Sequence, residues 1–195
     1  MARRREFDED ALLETCIPLF WEKGFQGTSM TDVAVATGVG NGSIYAAYGS
    51  KAGLFLVVLE RYCATRVELV RVAMRGEGST VDAVRGFFET IVDDCARHRP
   101  SWGCLMLTSM AELGRQWPEV AELTLRTVRE MQDVVIERLR RASPHESASS
   151  RRDLAATIVL ASQAILQASL LEPEPVRLRR FALSSVERLA PRLAA

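Results

Sequence analysis

The chain has 195 residues, 48% of them apolar, and its 25 basic side chains balance 25 acidic ones. It is long enough to bury one or two small cores, and the apolar residues recur with helical spacing, so an all-α protein is expected. No run of 18 apolar residues occurs and no apolar segment follows the N-terminal MARRREFDED, which predicts a cytoplasmic protein without a membrane span. The four cysteines have no C-x-x-C spacing, so neither a metal nor a cofactor is expected.

The first predicted helix runs from Asp8 to about Lys23 and ends at Gly24. One face of this helix is apolar, with Leu12, Cys16, Leu19 and Phe20 at helical spacing. Pro18 lies inside the helix and removes a backbone hydrogen bond, so a kink is expected there.

The next stretch, Thr28–Lys51, has the outline of a helix-turn-helix. Val33, Val39 and Ile44 form a shared apolar seam, and Gly38 supplies the positive φ of the tight turn. Three helix starts follow one another closely here. Their expected N-caps are Thr28 or Ser29 with Asp32 as capping-box partner, then Gly40 or Asn41, then Ser50. Clustered helix N-termini attract phosphate groups.

The residues of this stretch, T-S-M-x-D-V-A-x-x-x-G-V-x-x-G-S-I-Y-x-x-Y-x-S-K, resemble the DNA-binding segment of TetR-family transcriptional repressors. Tyr48 stands where the family usually has Phe, and Ala47 where many members have His or Tyr. The resemblance implies an all-α fold of about nine helices. It places a helix-turn-helix domain at residues 1–54 and a helical effector-binding and dimerisation domain at residues 55–195, joined by a long helix.

The implied function is that of a ligand-responsive repressor that binds double-stranded DNA at a palindromic operator as a homodimer and is released by a small, apolar effector. Residues expected at the DNA are Arg3, Arg4, Arg5, Thr28, Ser29, Thr31, Asn41, Gly42, Ser43, Tyr45, Ala46, Tyr48 and Lys51. Asn41 could either contact a base or cap the helix. Tyr48 could either contact the DNA backbone or pack inside the fold. The net charge of this region does not by itself indicate DNA binding, because the first 51 residues carry five basic and seven acidic side chains.

Further helices are predicted from Lys51 to about Met74, from Ser79 to about Arg99, in a short segment ending near Leu113, and from Glu119 to Arg141. The polar segment 143–150 is expected to be a loop, and the last two helices span about 151–171 and 175–189.

Aromatic and methionine side chains of the second domain suggest an adaptable pocket, although an ordinary core explains the same residues. The resemblance, which places an inducer there, gives the candidate pocket residues Phe87, Phe88, Cys95, Trp102, Cys104, Met106, Met110, Trp117, Met131, Gln163 and Gln167. Glu112 is a further candidate for orienting a ligand. Gly103-Cys104-Leu105 also resembles a segment of family members that sense electrophiles or oxidants, so Cys104 is an alternative, thiol-based sensor.

The side chains of the penultimate helix are small and apolar on nearly all sides, so other helices must pack against several of its faces. We expect it to form a dimer interface with the last helix; a core helix within one subunit is the alternative. The predicted interface residues are Ala155, Ile158, Val159, Ser162, Ile165, Ala168, Ser169, Phe181 and Val186.

Two other classes of protein remain to be weighed. An enzyme is disfavoured, because only His98 and His145 are present to pair with a cysteine and no phosphate-binding glycine loop occurs. A helical interaction module that does not bind DNA is the other alternative, and the acidic balance of the N-terminal residues favours it slightly.

Overall fold

The computed structural model describes residues 7–97, 103–172 and 174–193, and all regular secondary structure in these ranges is α-helical, as the sequence predicts. The nine helices are α1 (Glu9–Gly27), α2 (Met30–Thr37), α3 (Asn41–Tyr48), α4 (Lys51–Arg75), α5 (Thr80–Arg97), α6 (Leu105–Leu113), α7 (Pro118–Ala142), α8 (Ala148–Leu171) and α9 (Pro175–Leu193).

Several helix ends lie at the capping residues and glycines that the sequence predicts. Ser29 caps α2 in a complete capping box with Asp32, and the Ser50 hydroxyl accepts from the Gly53 backbone N–H at the start of α4. Gly38 closes α2 with a left-handed φ of 69°. The break predicted at Gly24 is present, since its φ of 70° interrupts α1, whereas the kink expected at Pro18 stays a prediction. Pro18 is exposed within α1.

The chain divides into two compact units, residues 1–64 with 105–124, and residues 65–104 with 125–195. The predicted boundary after residue 54 therefore needs correction, because segment 105–124 belongs with the helix-turn-helix. Long-range aromatic contacts explain this: the Trp117 ring centroid lies 4.7 Å from that of Phe25 and 6.4 Å from that of Phe55. Sequence order alone does not reveal such contacts.

The first unit is built on α1, α2, α3, α6 and the first half of α4. Phe20 packs edge-on against Phe55 with ring centroids 5.0 Å apart, and both side chains are fully buried. Arg61 of α4 pairs with Asp10 at 2.6 Å and Glu14 at 2.9 Å. Part of the negative charge of α1 is thus neutralised within this unit.

The second unit is a helical bundle in which α5 packs against α8 and α9. Arg138 of α7 donates to the carbonyl oxygens of Gly76 at 2.7 Å and Gly78 at 2.5 Å, fixing the turn after α4. Helix α8 is long and apolar enough to cross a membrane, but half of its most apolar window is buried in the unit. Core helices of folded bundles share that property.

Candidate nucleic-acid interface

The helix-turn-helix presents an uncharged second helix. Gly40 is the N-cap of α3 and no side chain caps this helix, so the capping alternative for Asn41 is not realised. Three further candidates, Gly42, Tyr45 and Ala46, are exposed, with Tyr45 47% accessible. Ile44 is buried and anchors α3 in the unit. Ser43 is half-buried. The exposed face offers an amide, a phenol and a methyl group.

The start of α2 is held by a network centred on Asp32. Its carboxylate accepts from the Ser29 backbone N–H at 2.8 Å and the Ser29 hydroxyl at 2.6 Å, and Lys23 lies 3.1 Å away. These contacts, with the Ser29 hydroxyl first, lower the pKa of Asp32 from 3.8 to about 2. The hydroxyl of Ser29 is thus committed to the capping box, whereas Thr31 is exposed at the helix start.

Thr28 does not present its side chain at the surface. It is 1% accessible, and its hydroxyl donates to the Gly24 carbonyl oxygen at 2.8 Å. The prediction that the Thr28 side chain contacts phosphate is therefore wrong. The residue instead secures the turn between α1 and α2, because a buried hydroxyl needs a hydrogen-bond partner.

Lys51 makes internal contacts that the sequence prediction omitted. Its Nζ donates to the carbonyl oxygens of Phe25 and Thr28, both at 2.9 Å, and lies 4.2 Å from the Phe25 ring centroid. An ammonium group has three donors, so these two bonds leave one for an outside acceptor. Tyr48 is half-buried and its hydroxyl donates to Glu9 at 3.1 Å, in line with its second alternative.

Positive charge is scarce on this surface. Lys23 and Lys51 are the only basic residues between positions 7 and 51. Lys23 pairs with Asp32, and Lys51 contacts backbone oxygens. The arginines predicted at DNA, Arg3, Arg4 and Arg5, lie outside the described residues.

Glu112, expected to orient a ligand, has a different role. Its carboxylate accepts from the backbone N–H of Phe25 at 3.2 Å and of Gln26 at 3.0 Å. These are the unpaired donors that follow the helix break at Gly24. Glu112 of α6 therefore caps the last turn of α1 and ties α6 to the helix-turn-helix. No local pattern around Glu112 predicts this contact, because the two residues lie 87 positions apart.

The candidate pocket residues separate into several groups. Four of them, Phe87, Cys104, Met131 and Gln163, line one small cavity in the second unit. The other lining residues, which the sequence analysis missed, are Arg66, Leu69, Val70, Ile91, Ser162 and Leu166. Met106, Met110 and Trp117 belong to the first unit, where Trp117 packs on aromatic rings and Met110 is 38% accessible.

Three of the remaining pocket candidates, Phe88, Cys95 and Gln167, do not line this cavity. Burial raises the pKa of the Cys95 thiol, and Phe88 is fully buried. Trp102 lies outside the described residues. The structure thus places four of the eleven candidates at this cavity and the other described candidates elsewhere in the two units.

The predicted dimer residues also need correction. Seven of the nine are at most 4% accessible within one subunit: Ala155, Ile158, Val159, Ser162, Ile165, Ser169 and Val186. Helices α5 and α9 pack against α8 and supply their cover. Ala168 is half-buried and Phe181 is 45% accessible. The exposed large apolar residues on α8 and α9 are Leu160, Leu170, Leu171, Val176 and Phe181, of which Phe181 alone belongs to the predicted set.

Comparison with known proteins agrees with this geometry. The family model described as "Bacterial regulatory proteins, tetR family" matches residues 12–58. An uncharacterized HTH-type transcriptional regulator of Bacillus subtilis (strain 168), YezE, is 30% identical over 142 residues, covering 73% of each chain. The HTH-type transcriptional repressor ComR of Escherichia coli (strain K12) is 29% identical over 133 residues, 67% of this chain and 62% of ComR.

Among solved structures, a cysteine mutant of the TetR family transcriptional regulator CifR complexed with 26bp double-strand operator DNA superposes with a TM-score of 0.79. It is 23% identical and the match covers 95% of this chain and 98% of CifR. The reduced form of Escherichia coli NemR has a TM-score of 0.71 at 21% identity, covering 90% and 93%. At these identities the likeness establishes the fold.

A helix-turn-helix with an exposed second helix, carried by a chain with a separate helical bundle, defines the class of DNA-binding transcriptional regulators. The relatives are regulators and not enzymes. The chain belongs to the TetR family of transcriptional regulators.

Proposed function

We propose that this protein is a repressor that binds a palindromic operator as a homodimer and leaves it when a small effector enters the second unit. The observation that carries the proposal is the exposed, uncharged face of α3, with Asn41, Tyr45 and Ala46 together on the surface of a helix-turn-helix. ComR, a relative, is named as a repressor, and CifR was solved on operator DNA.

The division of labour at the DNA follows from side-chain chemistry. Asn41 can pair with the edge of an adenine, and the methyl group of Ala46 can contact a thymine methyl group. Tyr45, exposed Thr31 and the third donor of Lys51 would bind phosphate oxygens, which set position without reading sequence. The Arg3, Arg4 and Arg5 side chains would supply most of the charge that displaces counterions.

Dimerisation is supported by an apolar stripe on the outer face of α8. Thr157, Leu160, Ala164 and Leu171 recur at helical spacing on this face and are all exposed. Leu171 is 88% accessible and Leu160 63%. A second copy would remove these side chains from water, which stabilises by about 25 cal/mol per Å² of apolar surface. A twofold axis would place two α3 helices in successive major grooves.

The dimer test uses two residues of equal exposure. Leu160→Glu should convert the dimer to a monomer in sedimentation, because a charge would have to be buried at the contact. Val72 on α4 is also 63% accessible, so Val72→Glu is the matched control and should stay dimeric. A monomeric wild-type protein, or equal behaviour of both variants, would contradict the proposed interface.

The operator test is a gel shift on DNA from upstream of the protein's own gene, repeated at several salt concentrations. Tyr45→Ala should weaken binding about tenfold or more, because an exposed phenol that meets phosphate is lost. Leu125→Ala, at a residue 50% accessible in the second unit, is the control and should bind normally. Absence of a salt-sensitive shift with the wild-type protein would overturn the proposed function.

The thiol-sensor alternative depends on Cys104, which is only 1% accessible. A buried thiol reacts slowly with large reagents, since the thiolate must be reached from solvent. Cys104 does line the cavity, so a small electrophile remains the one version with structural support. Treatment with iodoacetamide should leave operator binding unchanged; release of the operator by this reagent, lost in Cys104→Ser, would establish the alternative.

A further inference from the structure

The small cavity of the second unit contains a buried polar atom without a hydrogen-bond partner. Gln163 of α8 is 8% accessible, and its Nε2 donates to the Met131 sulfur at 3.8 Å. Within the described ranges no donor reaches its Oε1. A buried carbonyl oxygen left unpaired is costly, and such atoms in native proteins usually have a partner. The amide oxygen is therefore a ready acceptor beside the cavity.

The charge around the cavity is balanced. Arg66 lines it, and its Nη1 donates to Asp94 at 3.1 Å, with both side chains less than a fifth accessible. The remaining lining residues are neutral. An anionic ligand would have to compete with Asp94 for the Arg66 guanidinium and would lose its hydration, which is expensive in an apolar site. The lining thus favours an uncharged molecule.

Most of the residues that line the cavity are apolar. Phe87, Ile91 and Leu166 provide hydrocarbon surface, and Met131 has an unbranched side chain that can adapt to different shapes. The cavity has a volume of about 20 Å³, enough for about one water molecule. Anything larger must displace a wall side chain, so binding and rearrangement of this bundle would occur together.

We infer that this cavity is the effector site and that its effectors are small neutral molecules with a hydroxyl or N–H donor for Gln163 Oε1 and an apolar body. The inference rests on the proposed function, because it specifies the effector of that regulator. It excludes carboxylates and other anions as effectors. It also excludes pure hydrocarbons as strong ligands, since they leave the amide oxygen unpaired.

The test uses three probes of similar size on the full-length protein: phenol, toluene and benzoate. Isothermal titration should show phenol binding about tenfold more tightly than toluene, and benzoate not binding, because one buried hydrogen bond separates the first two. Equal affinity for phenol and toluene, or preference for benzoate, would overturn the inference. No variant is needed for this comparison, so a folding defect cannot obscure it.

The position of the probe is tested by NMR with ¹³C-methyl methionine. Phenol should shift the Met131 methyl resonance and leave that of Met30, in the helix-turn-helix, unchanged. A shift confined to other methionines would place phenol elsewhere and overturn the assignment. Gln163→Leu should abolish the preference for phenol over toluene, whereas a retained preference would remove Gln163 from the site.

Gel shifts of the wild-type protein separate this inference from the proposed function. Operator binding that phenol weakens supports both. Operator binding combined with no selective uptake of phenol rejects the inference and leaves the regulator standing. Selective uptake of phenol by a protein that binds no operator rejects the proposed function.

Discussion

Replacement of Glu112 by alanine should destabilise the helix-turn-helix although the residue lies far from it in sequence. The carboxylate accepts two backbone N–H groups, from Phe25 at 3.2 Å and Gln26 at 3.0 Å. Hydrogen bonds to a charged group contribute about 1.5–3 kcal/mol each, but the Gln26 side is exposed and water can replace it there. We therefore expect Glu112→Ala to lower the free energy of unfolding by about 2–3 kcal/mol.

The assay is thermal and urea unfolding followed by tryptophan fluorescence, which suits this region because Trp117 packs against Phe25. A loss of this size corresponds to a fall in Tm of about 4–12 °C for a chain of this length. Glu112→Gln keeps one acceptor oxygen and should lose about half as much. Glu122→Ala, an exposed carboxylate in the same unit, is the control and should change stability by less than about 0.5 kcal/mol. Equal stability of Glu112→Ala and the control would refute the capping role.

Three further predictions concern the same unit. Lys51→Met should lower the free energy of unfolding by about 2 kcal/mol, because it removes two hydrogen bonds of 2.9 Å. It should also flatten the slope of log binding constant against log salt concentration by about one unit per subunit, and an unchanged slope would assign Lys51 to folding alone. Gly53→Ala should lower Tm by several degrees in calorimetry, since a Cβ there would lie 2.1 Å from the Tyr48 carbonyl oxygen; an unaffected Tm would contradict that packing. The pKa of Asp32 is lowered to about 2 from 3.8, so its contribution is complete above pH 4 and is lost as pH falls towards 2. Acid unfolding of Asp32→Ala should consequently depend less on pH between 4 and 2, and an identical acid limb would argue against the capping box.

The parts of the fold that the sequence predicts are those fixed by neighbouring residues. The capping box of Ser29 with Asp32 spans four residues, and the left-handed conformation of Gly38 depends only on its lack of a side chain. Both were readable and both are present. Pro18 shows the limit of such rules, because the non-helical backbone angles in α1 lie at Gly24, the predicted helix end, and not at the exposed proline.

The parts that sequence reading missed depend on contacts between distant residues. The residues around Glu112 do not indicate that its carboxylate caps a turn 87 residues earlier. The residues around Trp117 likewise do not indicate that its ring packs against Phe25. The internal hydrogen bonds of Thr28 and Lys51 were missed for the same reason. Their polar groups could bind phosphate, but in the structure they donate to backbone oxygens within the unit.

Helix α8 gives a third kind of error. Its apolar residues on all sides correctly indicated that several neighbours cover it, but periodicity cannot say which side the subunit covers itself. The structure buries the side of Ile158 and Ile165 and leaves that of Leu160 and Leu171 outside. The cavity was also predicted only in part. Gln163 is among the pocket residues predicted from the sequence, but Arg66, whose charge is paired with that of Asp94, is not.

The absence of charged residues from α3 has a consequence for how the regulator finds its target. Attraction to arbitrary chromosomal DNA is almost wholly electrostatic, so α3 contributes little to it, and the Arg3, Arg4 and Arg5 side chains would supply most of this attraction. Sequence reading and non-specific attraction would then depend on separate residues of the chain. Exchanging the arginines would change how long the protein stays on random DNA at each encounter, while the face of α3 would keep its preference for the operator.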